Sequence, residues 1–185
     1  MGLQSKDQKA LGFYDFSKIP LYIPNFITFL RIVALPHLVY TFNNQIILGS
    51  YLLFLFSIGT DLIDGFVARK LHSVSMFGAY LDLAVDFLFI SGMYLNFILK
   101  GIYPTWILFI IIGVFAQFVI SNIILKKTVY DPIGKYYGSL LFGGVGLTIL
   151  FSNQLIYDVV TCGILFSTLI SLTSRLAFLI KKKLD

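Results

Sequence analysis

Asp61-Leu62-Ile63-Asp64-Gly65-Phe66-Val67-Ala68-Arg69, followed after eight residues by Gly78-Ala79-Tyr80-Leu81-Asp82-Leu83-Ala84-Val85-Asp86, is the stretch on which the reading of this chain turns. It holds four of the nine acidic residues, all nine being Asp. Both halves are flanked by long apolar runs. An Asp at the centre of a membrane helix costs roughly 2.5–3.5 kcal/mol on insertion scales, so four of them point to chemistry or ion binding. At about 100° per residue, Asp61, Asp64, Gly65 and Ala68 fall along one stripe of a helix. Gly78, Asp82 and Asp86 recur every four residues along a second.

The surrounding composition sets the solvent. Hydrophobic residues make up 58% of the 185 and charged residues 12%, and the mean hydropathy is +0.88. That is the profile of a polytopic membrane protein. The expected fold is an all-α integral membrane protein of six transmembrane helices, since 185 residues leave room for about six spans of ~20–25 residues. The hydropathy places them at about Ile23–Phe42, Ile46–Lys70, Val74–Leu99, Thr105–Leu125, Ile133–Phe151 and Ile156–Ile180. The first opens on Ile23-Pro24-Asn25, with Pro suited to a helix start. Residues 1–185 read as one membrane domain, with 1–18 as a juxtamembrane segment. Asp7–Phe16 is expected to form a short amphipathic surface helix, with Leu11, Phe13, Tyr14 and Phe16 on its greasy side. The N-terminal segment lacks the order of a cleavable signal peptide.

Basic residues give the orientation. Lys6, Lys9 and Lys18 precede the first helix. Arg69 and Lys70 lie between the second and third, Lys126, Lys127 and Lys135 between the fourth and fifth, and Lys181, Lys182 and Lys183 after the sixth. The other side carries Lys100. By the positive-inside rule both termini are cytoplasmic, Pro104 and Trp106 sit at the outer interface, and the acidic stripes lie toward the cytoplasm. The net charge of +5 is mostly this topology signal, with a capacity to hold anionic membrane lipids. Dispersed lysines do not make a nucleic-acid surface. Cys162 reads as a small packing residue. Gly143, Gly144 and Gly146 read as sites of close helix packing.

The chemistry follows from the crowding of like charges. A short cytoplasmic loop makes the second and third helices antiparallel neighbours whose acidic stripes can face each other. Four carboxylates so close either take up protons or hold cations. An all-oxygen set suits Mg²⁺ or Mn²⁺, with two ions plausible for four carboxylates. Gly65, Ala68 and Gly78 leave the helix surfaces bare beside the acids, and a guanidinium at Arg69 suits phosphate. Together these describe a site for a pyrophosphate-containing nucleotide. A divalent-cation transporter is the rival reading. Against it, the acids gather toward one membrane face and no second acidic cluster completes a path. A non-catalytic assembly subunit is a third reading, opposed by the intact acid set.

The pattern D-x2-D-G-x2-A-R-x8-G-x3-D-x3-D resembles the signature of the CDP-alcohol phosphotransferases, and every fixed position is present. Pro24-Asn25-Phe26-Ile27-Thr28-Phe29-Leu30-Arg31 also looks like the first-helix start common in that family. The resemblance is strong over about Ile19–Ser91. It implies a six-helix membrane enzyme, commonly a homodimer, that transfers a phosphatidyl or related group from a CDP-linked lipid donor to an acceptor hydroxyl and releases CMP. By matching positions, Asp61, Asp64 and Asp82 are metal ligands, and Asp86 is the base, touching metal as well. Gly65, Ala68 and Gly78 line the nucleotide, Arg69 meets donor phosphate, and Asn25 and Thr28 join the donor site. The implied setting is the cell membrane of a prokaryote, with the site facing the cytoplasm.

The acceptor is read from basic residues. Arg31 lies inside the first helix and Arg175 inside the sixth, and a membrane-embedded arginine faces a polar cavity. With Lys135 they are candidates to bind a small phosphorylated acceptor, glycerol 3-phosphate first, with inositol phosphate, serine or a second lipid as alternatives. His72 reads as a solvated loop residue, His37 as polar packing or a kink after Pro36, and Tyr136 and Tyr137 as interfacial anchors.

Overall fold

The computed structural model describes the backbone over 19–70, 76–125 and 132–184, and side chains over 26–63, 66, 70, 78, 80–120 and 136–174. The described residues form six helices and no strand: α1 (Ile19–Asn43), α2 (Ile47–Lys70), α3 (Met76–Leu99), α4 (Trp106–Leu125), α5 (Pro132–Leu150) and α6 (Gln154–Leu184). The expected surface helix at Asp7–Phe16, His72, Lys126 and Lys127 lie outside the described residues.

Three described helix ends carry their own stop or start signal. The α1–α2 turn closes with Ile46 N–H donating to the Thr41 carbonyl over 2.9 Å, with Gln45 in the left-handed region at φ 58°. The α3–α4 turn repeats the device, Ile102 N–H donating to Phe97 over 2.9 Å, with Gly101 at φ 73°. Such six-to-one bonds satisfy carbonyls that a helix C-terminus leaves open. Asn153 caps α6, its Oδ1 accepting from Leu155 N–H at 3.1 Å.

Among the described residues, three helices contain apolar windows long enough to cross a bilayer: Phe26–Asn43, Tyr80–Leu99 and Gln154–Ser174. Shorter apolar stretches occupy Ile47–Ile63, Trp106–Ile120 and Tyr136–Leu150. Large apolar side chains point outward on every helix, among them Phe26, Leu48, Leu88, Phe109, Leu150 and Phe166. In water such a surface would drive aggregation; in a bilayer it is the ordinary solvated surface. The chain is a membrane protein.

Packing is organised around α1, the main partner of both α2 and α3, while α5 pairs with α6. This changes the expected picture of α2 and α3 as simple neighbours, because α1 binds them together. Gly92 shows why α1 comes so close: a Cβ there would lie 2.8 Å from Leu35 Cδ2. Gly144 and Gly146 do the same for α5, where added Cβ atoms would meet the Tyr94 hydroxyl at 2.5 Å and Phe54 Cε1 at 2.6 Å. Gly143 has open space beside it, so close packing holds at two of the three glycines.

The core is aromatic. Phe89 stacks on Phe142, Phe42 meets Phe97 edge-on, and Tyr94, Phe97 and Tyr103 cluster beneath them. Two expectations change here. Tyr137 is buried, its hydroxyl accepting from Thr168 Oγ1 at 3.2 Å, and only Tyr136 is exposed as an anchor would be. Cys162 faces outward and does not pack inside, because the inward face of α6 is taken by Val160, Ile164 and Thr168. His37 Nδ1 lies 2.9 Å from the Val33 carbonyl, a local polar contact beside Pro36.

Candidate active site

The buried face of α1 runs Thr28, Arg31, Ala34 and Leu38, the spacing of one helical stripe. Arg31 is the only charged side chain among the fully buried described residues, at 0% exposure. From α1 its guanidinium reaches both acidic helices. Nη2 donates to Asp61 Oδ1 on α2 at 3.1 Å. Nη1 donates to Asp82 Oδ1 at 3.3 Å and also to Asp86 Oδ1, both on α3. Burying a guanidinium is tolerable only with paired charge and well-placed acceptors, and the two acidic stripes supply both.

The acids themselves stay open. The Asp61, Asp82 and Asp86 side chains are 43%, 39% and 31% exposed. One oxygen from each lies within 4.8 Å of the others. Carboxylate oxygens are hard donors suited to Mg²⁺ or Mn²⁺. Two oxygens on one such ion stand at most about 4.2 Å apart, so the donor type fits a divalent ion and the acids would draw in slightly to hold one. Among the described residues, three carboxylates stand against one guanidinium, a negative excess that suits a cation.

The other candidates separate by element. Thr28 is buried one turn before Arg31, on the same face. Gly78 lies one turn before Asp82 on α3 and is partly buried. Asn25 belongs to α1; Asp64, Gly65, Ala68 and Arg69 to α2; Lys135 to α5; Arg175 to α6. The side chains of these seven lie outside the described residues. Two elements therefore bring three acids together, and a third brings an arginine to them. What the sequence reading missed is Arg31's place inside the acid set. The signal was present: an arginine embedded in a bundle needs a carboxylate, and the nearest acids in an antiparallel arrangement are those of the motif.

Comparison with known proteins identifies the family. The sequence model of the family described as CDP-alcohol phosphatidyltransferase matches residues 21–175. A CDP-diacylglycerol–glycerol-3-phosphate 3-phosphatidyltransferase from Aquifex aeolicus (strain VF5) is 31% identical over 140 residues, covering 74% of this chain and 79% of that protein. One of the same name from Rickettsia bellii (strain RML369-C) is 40% identical over 88 residues, covering 45% and 48%. A protein from Arabidopsis thaliana, named for CDP-diacylglycerol–inositol 3-phosphatidyltransferase activity, is 38% identical over 92 residues, covering 49% and 39%. No solved structure matches. With the motif complete, three of its acids brought together from two helices and the family match running from α1 into α6, this chain belongs to the CDP-alcohol phosphatidyltransferase family.

Proposed function

We propose that this chain spans the membrane with all six helices, both termini cytoplasmic, and that it makes a phospholipid precursor. It moves the phosphatidyl group of CDP-diacylglycerol onto glycerol 3-phosphate and releases CMP. The observation that carries this reading is the convergence of Asp61, Asp82 and Asp86 at one end of α2 and α3. The names of the Aquifex and Rickettsia relatives favour glycerol 3-phosphate as acceptor. The Arabidopsis relative keeps an inositol-type acceptor as the second reading. Arg69 and Lys70 at the end of α2, Lys126, Lys127 and Lys135 around the α4–α5 connection, and Lys181, Lys182 and Lys183 at the end of α6 support a cytoplasmic site.

The residues divide the work. Divalent ions, Mg²⁺ or Mn²⁺ and two in number, held by Asp61, Asp64 and Asp82 with Asp86 at their edge, would neutralise the charge that builds on the pyrophosphate as it breaks. Gly65, Ala68 and Gly78 leave room for the cytidine against bare helix, with Asn25 and Thr28 beside it on α1. Arg69 binds donor phosphate at the water boundary. Asp86 accepts the proton of the acceptor hydroxyl. The freed oxygen attacks the phosphatidyl phosphorus, the bond from that phosphorus to the bridging oxygen breaks, and CMP leaves with that oxygen. Lys135 and Arg175 hold the phosphate of the acceptor. The donor's tails remain among the outward-facing apolar side chains, which is why such a site belongs in a membrane bundle. A homodimer is the proposed assembly.

The test is CMP release by the purified chain in detergent, given CDP-diacylglycerol, Mg²⁺ or Mn²⁺, and glycerol 3-phosphate, inositol phosphate, inositol or serine. Release that requires both metal and glycerol 3-phosphate is the expected result. Release with inositol phosphate in its place would transfer the assignment to that acceptor. Folded protein that releases no CMP with any acceptor would overturn the reading.

A further inference from the structure

Arg31 has no step in the reaction above, yet it is the most completely enclosed charge in the described structure. Its guanidinium touches carboxylates from two helices at once. The contact meets two needs together. A buried guanidinium needs opposite charge, and three converging carboxylates need a positive charge among them. The α1 face on either side is closed by Thr28, Ala34 and Leu38, and Leu35 is seated on Gly92 of α3. Arg31 therefore cannot leave for solvent without unseating α1.

We propose that Arg31 is the resident counter-charge of the acidic site: it holds Asp61, Asp82 and Asp86 together while no divalent ion is bound, and yields part of that pairing to the ion that binds. It is a positioning residue, acting through the acids. The proposal rests on the reading that these acids hold a divalent ion. Guanidinium and ion draw on the same three carboxylates, so Arg31 stabilises the ion-free fold and weakens ion binding. The two effects are linked, because whatever Arg31 contributes to the free site is lost in part when the ion enters. The site is thereby kept assembled on α1, α2 and α3 before any ion arrives.

The experiment follows the unfolding temperature of the full chain in detergent across a Mn²⁺ titration, without substrates. In the wild type, Mn²⁺ raises the unfolding temperature to a plateau. Arg31→Met lowers it without Mn²⁺ and recovers most of the loss at saturation. The half-effect Mn²⁺ concentration falls about tenfold, because a positive charge within a few ångströms of the ion is gone. Arg31→Lys keeps the charge but loses the planar fork; it is expected to lower the ion-free unfolding temperature and enlarge the Mn²⁺-induced rise. A merely structural role would lower the unfolding temperature equally at every Mn²⁺ concentration and leave the half-effect concentration in place, which would overturn the proposal. Should Arg31→Met fail to fold even with Mn²⁺, Arg31→Lys decides, and a wild-type-sized rise in that variant overturns the proposal. No rise in the wild type would instead overturn the ion reading beneath it.

Discussion

At the end of the bundle where α2 and α3 are joined, Asp61, Asp82 and Asp86 are partly exposed, and among the described residues they pair with Arg31. At the opposite end, Tyr94, Tyr103 and Thr148 are buried, neutral and hydrogen-bonded within the protein. Tyr103 Oη and Thr148 Oγ1 lie 2.6 Å apart, Thr148 Oγ1 also donates to the Gly144 carbonyl at 2.7 Å, and Tyr94 Oη donates to the Leu141 carbonyl at 3.3 Å. Both ends hold polar groups within an apolar bundle, where an unpaired one is expensive. They differ in what is left over. The inner pairs close on themselves and have nothing to offer a ligand. Among the described residues the acidic end holds more carboxylates than cations, and their side chains stay partly open. The first arrangement fixes helices; the second keeps a site available. If that division is right, substitutions at the acidic end change turnover with little effect on folding, and those at the aromatic end do the reverse.

The largest effect is expected at Asp86. Asp86→Asn keeps the shape and an acceptor oxygen but removes the proton acceptor. General-base removal costs about 10²–10⁴-fold, so CMP release should fall by about 10³-fold or more while CDP-diacylglycerol still binds. Comparing single-turnover CMP release with equilibrium binding of the donor checks this. Near-normal turnover would remove Asp86 from the role of base and blur the contrast between the two ends.

A middle-sized effect separates packing from chemistry within α5. Alanine at Gly144 would bring a Cβ to 2.5 Å from the Tyr94 hydroxyl and 2.9 Å from Val160 Cγ1. Overpacking of that kind costs about 1–3 kcal/mol, offset in part by alanine's better helix propensity of about 1 kcal/mol. Gly144→Ala should therefore lower stability by about 1 kcal/mol, whereas Gly143→Ala, with open space beside it, should raise it by about 0.5–1 kcal/mol. Turnover per folded molecule stays the same in both. Paired thermal unfolding and CMP-release measurements decide. Equal stability changes at the two positions would show that α5 is not seated by Gly144.

The same two ends explain what could be read from the chain alone. Helix positions were legible because turn residues punctuate the apolar runs: Asn43-Asn44, Gly101 and Ser152-Asn153 lie at the breaks, and expected and observed ends differ by a few residues. The acids were legible because charge in an apolar run has no bland explanation, and the spacing of Asp61, Asp82 and Asp86 on two stripes already implied convergence. The place of α1 was not. Hydropathy assigns Leu35 and Gly92 each to a helix but does not pair them, and that contact is what draws Arg31 onto the acids. A periodic pattern reports which face of a helix is buried, not which neighbour covers it. For the same reason Tyr136 and Tyr137 looked alike in sequence, although one faces out and the other reaches Thr168.

The smallest effect tests the closed end. Burial pushes the Tyr103 hydroxyl up to about 12 from its ordinary 10.0; the hydrogen bond with Thr148 pulls the other way and nearby Tyr157 adds to the rise. The folded chain thus holds this proton more tightly than the unfolded chain does. Its contribution to stability is fully present below about pH 10 and is lost as pH climbs toward about 12. Tyr103→Phe removes one hydrogen bond, worth about 1 kcal/mol, and leaves Thr148 its bond to Gly144. The variant should therefore be less stable than wild type at pH 8 by about that amount. The gap should narrow between pH 10 and 12, because only the wild type has a Tyr103 proton to lose. Unfolding temperatures of both proteins across that range give the answer, and turnover at pH 8 should be equal. A gap that stayed constant through pH 12 would mean that Tyr103 can ionise without disturbing the fold. The aromatic end would then be as open as the acidic one, and the contrast drawn between them would fail.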